Sequence, residues 1–218
     1  CQRWANRLRQ RLRKLIDRRG LLRDGIDTKG RIVKSTSPHA QTMALMTNLA
    51  PKSAAKMERF LVDYLKDESK HTSQPSAYWI TYVYTILAER GQGRAVIDHI
   101  RPNWKPTSEM FTDHVEYPMS HSHAWSAHPL FHFMQIIGGV RQTAPAWKRV
   151  SFTPVFHGDH GGATIPTPQG EITSAWQRDG DHIAVSLDLP KGVTAAVDLP
   201  GVKIKRAIGR SEWIVAAE

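Results

Sequence analysis

Cysteine is almost missing: Cys1 stands alone among 218 residues, so no internal disulfide can form and no Cys-rich metal site can be built. Long apolar runs are missing too. No 18-residue hydrophobic stretch occurs, so no helix is expected to span a membrane. The chain holds no internal repeat, no low-complexity tract and no Gly-x-Ser-x-Gly or His-Glu-x-x-His pattern, which leaves the familiar serine-hydrolase and zinc-protease readings without support. Gly91-Gln92-Gly93 follows no strand and lacks the remaining residues of a phosphate loop, so it reads as a helix stop and restart. Acidic residues are the scarcer charge, 20 against 30 Lys and Arg, for a net charge of +10.

Much of that excess lies at the start, in Arg3, Arg7, Arg9, Arg11, Arg13, Lys14, Arg18, Arg19 and Arg23. Trp4, Leu8, Leu12, Leu15 and Ile16 recur among them at helical spacing. The pattern reads as a solvated basic helix face. No nucleic-acid fold motif accompanies it, so neither a nucleic-acid nor a membrane partner is expected. Forty per cent of the residues are hydrophobic, enough for a real core.

The two parts of the chain carry different periods. Residues 1–140 read as helical. A first helix over about 2–19 is followed by a turn-rich hairpin around Asp24-Gly25 and Lys29-Gly30. A second starts at Pro38 behind Ser35, Thr36 and Ser37, and a third starts near Ser53. The fourth, Ala77 to Leu87, is apolar or aromatic nearly all round and should be buried on most sides. The fifth runs from Arg94 and should stop before Pro102, which leaves residues 105–122 as a long polar loop. The sixth covers about 123–137. About six helices of this kind suit part of an α/α toroid.

Residues 141–218 switch to a period of two. Val150, Phe152 and Pro154 alternate, as do Ile172, Ser174 and Trp176, and then Ile183, Val185 and Leu187 across Asp179-Gly180. Val193, Ala195, Val197, then Ile204, Ala207, Ile208, then Trp213 and Val215 continue the pattern. The expected fold class is mainly α followed by all-β, the β part being an antiparallel sandwich.

The stretch with the richest chemistry runs from Thr107 to Val140. Glu109, Asp113 and Glu116 lie among aromatics, and any of them could be one of the two carboxyl groups that sugar hydrolysis needs. His121, His123, His128 and His132 raise a metal reading, but no cysteine or matching carboxylate motif joins them. A histidine that donates to and accepts from sugar hydroxyls suits the pattern better, with Trp125 as an apolar wall for a sugar face.

Thr107-Ser108-Glu109, and Ser120-His121-Ser122-His123-Ala124-Trp125-Ser126-Ala127, closely resemble segments in the C-terminal part of bacterial α-L-rhamnosidases, glycoside hydrolase family 78. Trp147-Lys148-Arg149-Val150 with Pro154, and Ile165-Pro166-Thr167-Pro168-Gln169-Gly170-Glu171-Ile172, are similar to further family segments. Upstream, Asp24-Gly25 and His39-Ala40-Gln41 also look familiar, so the likeness extends over nearly the whole chain. Ser108 stands where the family has threonine, and the tryptophan before the acid is missing.

The resemblance implies a partial (α/α)6 toroid followed by a β-sandwich. It also implies an inverting glycosidase that removes terminal α-L-rhamnose from glycosides or polysaccharides without a metal or other cofactor. In that scheme Glu109 is the general base, His123 contacts the bound sugar and Trp125 faces its apolar side. Inversion keeps the two carboxyls roughly 6.5–9.5 Å apart, with a water between them. The family's general-acid segment lies upstream of anything matched here, and the chain starts in mid-helix without Met, so a C-terminal fragment without turnover of its own is expected. A signal segment would then also lie upstream, which leaves the compartment open. The competing reading is a non-catalytic carbohydrate-binding or degenerate rhamnosidase-like protein.

Overall fold

The computed structural model describes residues 1–71, 73–110 and 127–217, with the backbone alone for 105–110. The chain forms two compact units, Cys1–Ala127 and His128–Glu218. The division falls 13 residues before the change of period that suggested residue 140 as the boundary.

The first unit holds α1 (Gln2–Arg13), α2 (Pro38–Met46), α3 (Ala54–Lys66), α4 (Ile80–Glu89) and α5 (Gly93–Met110). Helix α1 is shorter than its apolar stripe suggested. The Asp17 carboxylate accepts the backbone N–H groups of Arg19 and Leu21, a local alternative to the helical ladder, and the chain turns at Gly20 with φ +85°. Two isolated bridges, Ile16 with Leu22 and Ile26 with Ile32, make up the expected hairpin region. Ser37 caps α2 by accepting the Ala40 N–H at 3.2 Å, with Pro38 in the first turn. The cap is itself held, because the Asp24 carboxylate accepts from both the Ser37 N–H and its hydroxyl. Fully buried Gln41 exchanges two hydrogen bonds with the backbone of Leu22, so side chain and main chain satisfy each other in the core. Helix α4 buries Ile80, Val83, Tyr84, Ile86, Leu87 and Ala88, and packs on α2, α3 and α5.

Helix α5 departs from expectation. It passes through Pro102 and Pro106 and reaches Met110, so residues 105–110 are helix rather than loop. Each proline removes one backbone donor and disfavours the helical conformation of the residue before it. Burial of Val96, Ile97, Ile100 and Trp104 along the same helix outweighs that local preference.

The second unit opens with α6 (His128–Ile136), followed by β1 (Val140–Gln142), β2 (Arg149–Phe152), β3 (His160–Thr167), β4 (Gly170–Asp179), β5 (His182–Asp188), β6 (Thr194–Leu199), β7 (Val202–Ala207) and β8 (Ser211–Ala216). The strands form two four-stranded sheets, in the orders β1-β2-β6-β7 and β3-β4-β5-β8. The β2–β6 pair is parallel, so the first sheet is mixed rather than wholly antiparallel. Inward residues of both sheets, among them Val150, Phe152, Ile172, Ile183, Val185, Leu187 and Val197, belong to one apolar core. The expected alternation holds in β2, β4, β5 and β6. In β7 the register shifts, so that Val197 faces Ile204 and Ala195 faces Ala207, and Ile208 lies exposed beyond the strand.

Helix α6 belongs to this unit because its end is tied to the sheet. Ser174 donates its hydroxyl to the Gly138 carbonyl at 2.7 Å, and Trp176 donates its indole N–H to the Ile137 carbonyl at 2.9 Å. Gly139 turns there with φ +71°, and a Cβ on it would stand 2.4 Å from the Pro154 nitrogen.

Candidate active site

Glu109 lies in the last turn of α5, one residue before its end, and its side chain falls outside the described residues. His123 and Trp125 lie outside the described residues altogether, as do Asp113, Glu116 and His121. What the structure does show is how the helix that carries Glu109 is held.

A buried hydrogen-bond chain crosses the helical unit. The Tyr84 hydroxyl, on α4, lies 2.6 Å from Nδ1 of His99 on α5. Nε2 of the same ring lies 2.6 Å from Oε1 of Glu68, just beyond α3. A carboxylate can only accept, so Nε2 carries a proton and donates to Glu68, while Nδ1 and the Tyr84 hydroxyl share the second bond. All three side chains are thereby hydrogen-bonded. Asn103 adds a bond from its amide to the His99 carbonyl at 2.9 Å, and Trp104 meets the Tyr84 ring edge-on at 5.9 Å. Burial, and then the Glu68 charge, push the hydroxyls of Tyr64 and Tyr84 above the usual phenol range.

This chain fastens three elements, α3, α4 and α5, through directional bonds. Glu109 follows His99 on the same helix at a distance of about 15 Å along the axis, from the rise per residue. The sequence reading missed the trio because its members are 15 and 31 residues apart. The available signal was Tyr84 itself, since a phenol in the middle of an apolar helix needs a polar partner.

The histidine pair at the start of α6 packs ring against ring. His132 is fully buried, and its ring meets those of His128 and Phe131 edge-on, each at 5.4 Å. Burial first, then the charges of His128 and Arg141, lower its pKa to about 3, so it is neutral at ordinary pH. Among the described residues no group of three or more His, Cys, Asp or Glu side chains is placed to hold a metal ion.

The architecture defines a class, an α-helical unit followed by a two-sheet β unit on one chain. The comparisons make the class specific. Residues 139–212 match the family model of the bacterial alpha-L-rhamnosidase C-terminal domain. No curated protein matches the chain. Among solved structures, the α-L-rhamnosidase from Aspergillus terreus aligns with a TM-score of 0.73 at 18% identity, over 98% of this chain and 27% of that one. The α-L-rhamnosidase from Dictyoglumus thermophilum aligns with a TM-score of 0.75 at 16% identity, over 99% and 28%. The Streptomyces avermitilis α-L-rhamnosidase, complexed with L-rhamnose, aligns with a TM-score of 0.66 at 14% identity, over 97% and 23%. The chain thus spans about a quarter of the length of the solved structures it matches. The resemblance read from the motifs holds: the β unit matches the rhamnosidase C-terminal domain, and the whole chain has the fold of the corresponding part of these enzymes.

Proposed function

We propose that this chain forms the C-terminal part of an inverting α-L-rhamnosidase and carries the base side of its active site. The observation that carries the reading is the joint match: a rhamnosidase family model over residues 139–212, and rhamnosidase folds over nearly the whole chain. In this reading the helical unit is part of an α/α toroid and the two sheets form the trailing sandwich. Glu109, ionised, takes a proton from the water that attacks the anomeric carbon. His123 hydrogen-bonds the sugar, and Trp125 covers its apolar side. The general acid comes from a part of the fold that this chain does not span, so the 218 residues alone do not turn over. The substrate is a glycoside or polysaccharide ending in α-L-rhamnose.

The test is release of the aryl group from an aryl α-L-rhamnoside by a protein in which this chain follows the rest of the fold. Glu109→Gln should lower kcat by about 10²–10⁴ with little change in KM. An active enzyme in which Glu109→Gln keeps its full rate would remove the base assignment. Turnover by the pure 218-residue chain would remove the claim that the acid lies elsewhere.

A further inference from the structure

We propose that His39, Tyr78, Trp79 and Tyr82 form a platform on the helical unit that binds an uncharged pyranose ring of a glycan. The four side chains come from two helix starts. His39 is the second residue of α2, Trp79 immediately precedes α4, and Tyr82 lies in the first turn of α4. The Trp79 N–H donates to the Ser76 hydroxyl at 3.2 Å, which fixes the approach to α4. The rings form a continuous group. His39 and Trp79 have centroids 4.2 Å apart at a tilt of 52°, Trp79 and Tyr82 lie 5.4 Å apart, and Tyr78 and Tyr82 lie 6.1 Å apart, close to perpendicular.

This group is less buried than the inward side chains of helix α4. Helix α4 buries Ile80, Val83, Tyr84 and Leu87, whereas Tyr78 is 42% exposed and Trp79, Tyr82 and His39 are half-buried. Partly exposed aromatic rings suit the C–H side of a pyranose, which is apolar, flat and of similar width. The polar atoms set among the rings suit its hydroxyls. The Tyr78 and Tyr82 hydroxyls stand 3.2 Å apart, and each can both donate and accept. The His39 ring can do the same, because burial lowers its pKa even though the Asp24 charge pulls the other way.

The platform therefore carries no formal charge at neutral pH, despite a chain of net charge +10. That chemistry selects a neutral sugar over a nucleic acid or an anionic surface. The inference rests on the glycosidase reading and adds to it a sugar contact made by aromatic side chains, with a test that does not depend on the Glu109 carboxylate.

The experiment uses the 218-residue chain and methyl α-L-rhamnopyranoside as probe. Saturation-transfer NMR and a fluorescence titration measure binding to the wild type and to Trp79→Ala, Trp79→Phe, Tyr82→Phe and Glu109→Gln, each checked for an unchanged thermal unfolding transition. Trp79→Ala should weaken binding about tenfold, the equivalent of one aromatic contact. Trp79→Phe should restore most of the loss, and Glu109→Gln should leave the Trp79-dependent binding in place. No binding by the wild type, or equal binding by folded Trp79→Ala, would overturn the platform. Concentration-dependent self-association that Trp79→Ala abolishes, without sugar binding, would identify a protein contact and overturn it as well. Trp79-dependent binding, together with an inactive enzyme in the aryl-rhamnoside assay, would keep the platform and remove the glycosidase reading.

Discussion

The helical unit and the β unit solve the same packing problem with different materials. The β core is apolar almost throughout, with Ser174 and His132 as its buried polar side chains among the described residues. The helical core is threaded with polar groups: Ser37, Gln41, Thr42 and His99 are buried, and Tyr64 and Tyr84 bring two hydroxyls inside. A dry core is held by area and shape, which tolerate little change of volume. A core laced with hydrogen bonds is held by direction as well, so its elements are fixed in register and not merely pressed together. The unit carrying the candidate base is the one with more buried polar side chains among the described residues.

The largest test of this contrast is in the sheets. Phe152 is fully buried and lies between β1 and β6 in its sheet. Phe152→Ala should cost about 3–5 kcal/mol in denaturant unfolding of the β unit, because little can move in to fill the space. A loss below about 1 kcal/mol would show that this core is looser than its burial implies.

The next concerns acid. His132 has a folded pKa of about 3 against an ordinary value of 6.5, so on acidification the unfolded chain takes up the proton first. Its contribution is fully present above about pH 6.5 and is lost as pH falls toward 3, at up to about 1.4 kcal/mol per pH unit. Thermal unfolding of the β unit followed from pH 7 to pH 4 should show this slope, and His132→Phe should flatten it. An unchanged slope in that variant would assign the acid sensitivity to other groups.

The smallest effect is expected in the helical unit. His99→Ala removes the ring nitrogen bonded to the buried Tyr84 hydroxyl, while Glu68, one third exposed, can turn to water. The cost should be about 1–3 kcal/mol, with the faster amide exchange concentrated in α5. Uniform loosening of the whole unit would argue against a tie specific to that helix.

Strands were legible because a sheet with one buried face writes its orientation into alternate residues, as Ile172, Ser174 and Trp176 show. The parallel β2–β6 pairing was not legible, since the two strands lie more than 40 residues apart and local pattern says nothing of partner or direction. The β7 register shift was hidden for a related reason: Ile204 and Ala207 break the period of two by one residue, and only the partner strand shows how that residue is absorbed. Starts of helices were read well where a cap and proline coincide, as at Ser37-Pro38. The end of α5 was misread because a proline rule is local and burial is not. For the site, sequence reading named Glu109 as a candidate and found the resemblance, but missed Glu68, His99 and Tyr84, whose association exists only in the folded chain.

The junction at the end of α6 has a consequence for any exchange of parts among related proteins. The family model begins at residue 139, yet the Ser174 hydroxyl and the Trp176 indole reach back to the carbonyls of Gly138 and Ile137. A graft cut at the family boundary would bring two donors into a new host and leave their acceptors behind. It would also stop at residue 212, inside strand β8, which runs to Ala216. The compact unit begins at His128, so it is longer than the stretch of sequence by which it is recognised.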